Sequence, residues 1–145
     1  MPESIGTRKE HGGFPSLGRA LPYAGFIHMD VEFEDGNPIA MLRRDAGNIG
    51  NPSVPMLHGG AVGALLEHAA LIQLFFELDL ELDRAPKIVN ISIDYLRPSL
   101  LEDTFARGII LRQGRRIANV HVEAWQSDRE RLVAAAYAHF LLPED

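Results

Sequence analysis

The sequence predicts an α+β domain in which an antiparallel sheet of about five or six strands wraps around one long central helix. Three observations carry this. The stretch Asn51–Phe76, NPSVPMLHGGAVGALLEHAALIQLFF, sends a Pro-rich loop into a long apolar run. An alternating segment and a short second strand precede it, and hairpin-connected segments follow it. One apolar helix beside that many strands is buried only if the sheet curls around it.

The helix comes first because everything else is fitted to it. Ala, Leu and Glu dominate from Ala61 onward, and no Pro occurs between Pro55 and Pro86. These residues favour helix and nothing forces a break, so one helix is predicted from about Gly59 or Gly60 to about Glu77. It is apolar nearly all round, as a helix buried on most sides is. A membrane span is the rival, since ~20 apolar residues cross a bilayer. Glu67, His68 and Gln73 sit mid-run, and charge there is costly in lipid, so a central soluble helix is preferred.

The chain in order supports the same picture. Residues 1–20 contain four Gly and two Pro without a period and are expected to be irregular. They include a second His-Gly-Gly, His11-Gly12-Gly13, with no helical run behind it. Ile27, Met29, Val31 and Phe33 alternate with His28, Asp30 and Glu32, a half-buried strand. Asp35-Gly36-Asn37-Pro38 is turn chemistry, and Ile39–Arg43 is a short second strand. Arg44–Leu57 reads as loop, and Glu77–Pro86 as an acidic lead-out. Val89, Ile91, Ile93 and Tyr95 alternate against Asn90, Ser92 and Asp94. Thr104–Arg112, Ile117–Trp125 and the Ala-rich Leu132–Leu142 complete the set. They are joined at Gln113-Gly114-Arg115 and Ser127-Asp128-Arg129-Glu130, connections short enough to require antiparallel neighbours.

The 145 residues make one domain, placed at 21–145, with 1–20 as the lead segment. A net charge of -6 argues against a nucleic-acid partner. There is no Cys, which removes disulfides and thiolate metal sites. The polar start shows no signal peptide, so a cytoplasmic location is expected.

Chemistry can sit at the helix start. The first amides of a helix are unpaired and carry the positive end of its dipole. Gly59 and Gly60 leave them open to a developing oxyanion, although two glycines alone also make an ordinary sharp turn. Glu67 stands eight residues after Gly59, among apolar neighbours. A carboxylate there needs a partner or water, or it serves as a base or nucleophile. Two helical turns rise ~11 Å, so a site using both groups takes Glu67 from one chain and the helix start from another. His58 and His68 lie ten residues apart with no HExxH spacing, so no metal is expected. No GxSxG elbow, GxGxxG or P-loop occurs, and no cofactor is implied. Arg112, Arg115 and Arg116 flank Gly114, as a solvated hairpin tip or a phosphate clamp.

Gly50-Asn51-Pro52, Leu57-His58-Gly59-Gly60 and Leu66-Glu67 together resemble the hotdog-fold acyl-CoA thioesterases of the phenylacetate-pathway type. Asn90-Ile91-Ser92-Ile93-Asp94-Tyr95-Leu96-Arg97-Pro98 and Gln113-Gly114-Arg115-Arg116 extend the likeness across residues 20–142. The resemblance implies a sheet wrapped on a helix, in a dimer that often pairs into a tetramer, hydrolysing acyl-CoA. By resemblance, Glu67 is nucleophile or general base, and the Gly59 amide polarises the thioester carbonyl. Asn51 and His58 orient thioester or water. Gly60 and Asn90 join the substrate-binding set, and Arg115 and Arg116 hold CoA phosphates. Leu71 and Ile88 stand where many relatives carry hydroxyl residues. Two alternatives stay open: a same-fold acyl-thioester hydratase or dehydratase, and a non-catalytic acyl-CoA or small-ligand binding module. Neither nucleic acid nor membrane is expected as a partner.

Overall fold

Asp35 and Gly36 both take positive φ, 51° and 79°, which is what a two-residue type I′ hairpin turn needs. That turn joins β1 (Met29–Glu34) to β2 (Asn37–Leu42). The computed structural model describes residues 21–144, so the expected irregular lead at 1–20, with His11-Gly12-Gly13, lies outside the described residues. A short helix α1 (Pro22–Phe26) opens the described chain, with Pro at its start, where the missing N–H costs nothing.

After β2 come β3 (Ile49–Asn51) and β4 (Val54–Leu57), a separate two-stranded ribbon. The central helix α2 runs Gly59–Leu78. Then follow β5 (Lys87–Tyr95), β6 (Thr104–Gln113), β7 (Ile117–Trp125) and β8 (Ala134–Leu141). Six strands form one antiparallel sheet in the order β1-β2-β6-β7-β8-β5. It wraps α2, which packs mainly on β6, then on β2 and β7. This is the hotdog fold that the resemblance implied.

The inward face of the sheet is built from small residues. Ala106, Ala118, Ala124, Ala134, Ala136 and Ala138 are all buried, which lets the helix approach closely. At Gly108 the approach is closest: a Cβ there would lie 3.0 Å from the Ala69 carbonyl oxygen and 3.2 Å from Ala70 Cα. Gly108→Val should therefore destabilise the fold by about 1–3 kcal/mol through overpacking. Urea unfolding, read as a fall in midpoint at unchanged slope, checks this. Gln73 is also buried in this seam, and its Nε2 donates to Glu77 Oε1 at 2.7 Å.

Several expected boundaries move, each for a physical reason. β1 starts at Met29 rather than Ile27, because His28 takes φ 62° and turns the chain between α1 and the strand. Arg44–Leu57 is not all loop: it contains a 3₁₀ turn at Ala46–Asn48 and the β3–β4 ribbon. The expected stripe Val89-Ile91-Ile93-Tyr95 breaks at its first member. The β5–β8 register shifts between Ile88 and Asn90, leaving Val89 as an unpaired bulge, 63% exposed. Ile88, Ile91, Ile93 and Tyr95 then share the face toward α2.

Candidate active site

The start of α2 is held from three directions. The first is the β3–β4 ribbon, which delivers His58. Asp45 accepts the Gly47 N–H at 2.9 Å and pairs with His28, and its carboxyl is held below its ordinary value, chiefly by that backbone hydrogen bond. The turn it caps presents the Asn48 carbonyl, which accepts the His58 N–H at 2.7 Å. Gly50 lies directly under His58, since a Cβ at position 50 would sit 3.0 Å from His58 Cα. Asn51 sits next in the ribbon, its Oδ1 accepting the Ser53 N–H at 2.9 Å.

The second support is the His58 side chain, the N-cap of α2. Its Nδ1 accepts the Gly60 N–H at 2.8 Å. An accepting Nδ1 carries no proton, so the neutral ring holds its hydrogen on Nε2. Any side chain at position 60 would displace the ring, because a Cβ there would lie 2.9 Å from Nδ1. The geometry thus separates the two glycines. Gly60 gives its amide to His58, while among the described residues nothing accepts the Gly59 N–H. Gly59 is the open donor at the positive end of the helix.

The third support is Tyr95, at the end of β5, whose hydroxyl donates to the Gly59 carbonyl at 2.8 Å. The sequence reading placed Tyr95 on an alternating strand but gave no sign of this bond, because alternation does not say what a strand's last residue meets.

Glu67 stands two turns down α2, on the flank that the sheet leaves partly open together with Gly63, Ala64, His68 and Leu71, all half-buried. No hydrogen bond or ion pair engages its carboxylate among the described residues. His68 is otherwise occupied: its Nδ1 meets the Ala64 carbonyl at 2.7 Å and its ring stacks on Tyr23 at 6.2 Å. Among the described residues no group of three or more His, Asp or Glu is placed to hold a metal ion.

His58, Gly59 and Gly60 are therefore brought together, Asn51 stands at the tip of the ribbon that carries His58, and Glu67 lies farther along the same helix. Asn90 is not brought to them. Its register partner is His139, between the buried Ala138 and Phe140, so it faces away from α2. Arg115 and Arg116 sit at the opposite end of the molecule. With Arg84, Leu78, Leu142 and Glu144 they line a cavity of about 780 Å³ at the C-terminal end of α2. Arg116 pairs with Glu144 at 2.8 Å. Arg84 was hidden in the sequence because it ends an acidic stretch.

Residues 55–133 match the family model described as the thioesterase superfamily. A protein from Chromobacterium violaceum is 38% identical, over 97% of this chain and 96% of that one, with a TM-score of 0.74. A phenylacetic acid degradation-related protein from Ralstonia eutropha is 24% identical, over 89% and 98% of the two chains, with a TM-score of 0.72. A Bacillus halodurans protein solved with CoA is 19% identical, over 94% and 93%, with a TM-score of 0.73. No curated protein matches the chain. The family match spans more than half of the sequence, including the helix start, Glu67 and Tyr95, and the chain belongs to the thioesterase superfamily.

Proposed function

We propose that this chain hydrolyses acyl-CoA thioesters to free acid and CoA in the cytoplasm, as a homodimer that pairs into a tetramer. One observation carries the reading: an open amide at Gly59, at the start of a helix whose flank holds an unpaired, half-buried carboxylate, Glu67. The Gly59 N–H donates to the thioester carbonyl oxygen and stabilises the charge that develops on it. His58 Nε2–H is a second donor available at the helix start. Glu67 attacks the carbonyl carbon itself, or takes a proton from the water that does, and the CoA thiol leaves. Asn51 has amide hydrogens left to orient that water.

Two features support a partner chain. β5 is an edge strand of nine residues, none of them buried, a form that invites pairing. It also borders the open flank of α2, since Tyr95 and Ile93 lie against Gly59 and Gly63. A second copy joined along β5 brings its own Glu67 to this chain's Gly59. The arginine cavity fits the same scheme. A 20-residue helix spans about 30 Å, so one chain keeps its cavity far from its own Gly59, and CoA held at one protomer's arginines serves the other protomer's helix start. The exposed Ile109, Leu111, Ile117 and Tyr137 on the outer sheet face support pairing of dimers.

Thiol release from a panel of short, medium, long and aryl acyl-CoAs tests the reading. No release by a folded oligomer on any of them would replace it with a non-catalytic binding module. For an active substrate, Arg115→Ala/Arg116→Ala should raise KM about tenfold and leave kcat within twofold, because phosphate contacts made equally before and during reaction set binding alone. The same acyl group on pantetheine, which lacks the nucleotide, should not feel the substitution.

A further inference from the structure

We infer that Tyr95 is a positioning residue for the proposed hydrolysis, acting on His58 through the single peptide group between Gly59 and Gly60. The Tyr95 hydroxyl donates to the Gly59 carbonyl at 2.8 Å, and the N–H of the same peptide group, on Gly60, donates to His58 Nδ1 at 2.8 Å. The carbonyl and the N–H of one peptide are joined by resonance. A donor on the oxygen therefore makes the N–H a stronger donor. The run Tyr95 O–H, Gly59 C=O, Gly60 N–H, His58 Nδ1 ends at the one ring atom left to act, Nε2–H.

The Gly59 carbonyl does not need Tyr95 for its own satisfaction. Inside a helix it already meets the N–H four residues on. The tyrosine bond is an addition, and its site is purpose-shaped. The ring lies 3.6 Å from where a Cβ on Gly59 would stand, and the hydroxyl 3.5 Å from that of Gly63. Both glycines leave room for the ring to lie against the first turn. Tyr95 is 56% exposed, so burial does not explain an aromatic residue here.

The consequence is twofold. The relay holds the imidazole in the tautomer with Nδ1 accepting and Nε2 donating, and it fixes the peptide plane next to the Gly59 N–H. Both donors offered to a thioester oxygen are then set before substrate arrives.

The experiment is Tyr95→Phe, which keeps the ring and its contact with the glycines. The first readout is the pair of ¹⁵N imidazole shifts of His58 by NMR, which needs no substrate. The hydroxyl's loss should weaken the Gly60 bond and move both ring-nitrogen shifts toward an even mixture of tautomers. The second readout rests on the thioesterase reading: kcat on the best acyl-CoA should fall about fivefold to tenfold, the worth of one neutral hydrogen bond, with KM within twofold. Unchanged His58 shifts overturn the relay. Moved shifts with unchanged kcat overturn its catalytic use. If the wild type releases no thiol, the functional reading falls, and the NMR result alone decides whether the relay exists.

Discussion

Gly59→Pro should lower kcat about 10²–10³-fold, the usual cost of losing one donor to a developing oxyanion. The substitution deletes one hydrogen and keeps the helix. Gly59 is the first residue of α2, where proline is tolerated because its absent N–H has no helical partner. The residue before a proline must be extended, and His58 already is, with φ -62° and ψ 133°. Gly59→Ala is the companion. Its Cβ would meet Tyr95 at 3.6 Å, an ordinary contact, and the N–H remains, so its kcat should stay within a few-fold of wild type. Steady-state kinetics on one acyl-CoA compares the three proteins, with thermal melting to show that all are folded. Equal activity in Gly59→Pro and Gly59→Ala would remove the Gly59 amide from the mechanism.

Glu67→Gln should lower kcat on the order of 10³-fold, within the range for losing a positioned base or nucleophile. The amide is nearly the same size, so the half-buried flank is left intact. This variant also reports which chain supplies which group. If Gly59 and Glu67 come from different protomers, mixing the two inactive proteins under conditions of subunit exchange builds heterodimers. In each of these one site carries both lesions and the other carries none. Random exchange should recover on the order of a quarter of wild-type activity. No recovery, with exchange verified by mass spectrometry of labelled subunits, would place both groups in one chain.

The central helix was legible to within a residue at each end, because its composition and the bounding prolines left no alternative. The hairpin succession from Thr104 onward was equally legible, since short turns between alternating runs admit one pairing. What stayed hidden was context. The β3–β4 ribbon escaped because its strands are three and four residues long and carry Pro55, which reads as loop. The bulge at Val89 escaped because Ile88 and Val89 are both apolar, so the alternation reads unbroken from Val89 while the inward stripe in fact begins at Ile88. In the site, the glycines and Glu67 could be named from residue type and spacing. The division of labour between the two glycines could not, because it depends on which nitrogen of His58 turns back onto the helix. For Asn90 the sequence offered only its place in a motif: the bulge beside it and the register with His139 turn it away from α2, which alternation does not show.

The helix at the centre also shapes the birth of the protein. α2 is long and apolar enough to cross a membrane, and it is complete at Leu78, before any of β5–β8 has been made. The strands that cover it extend to Leu141. At ~5–20 residues per second, a ribosome needs roughly 3–13 s to supply them. During that interval the nascent chain displays a bilayer-length apolar segment that still lacks β5–β8, among them β6, the strand on which it mainly packs. The order of synthesis therefore makes this stretch the natural target of chaperones that bind chains as they emerge.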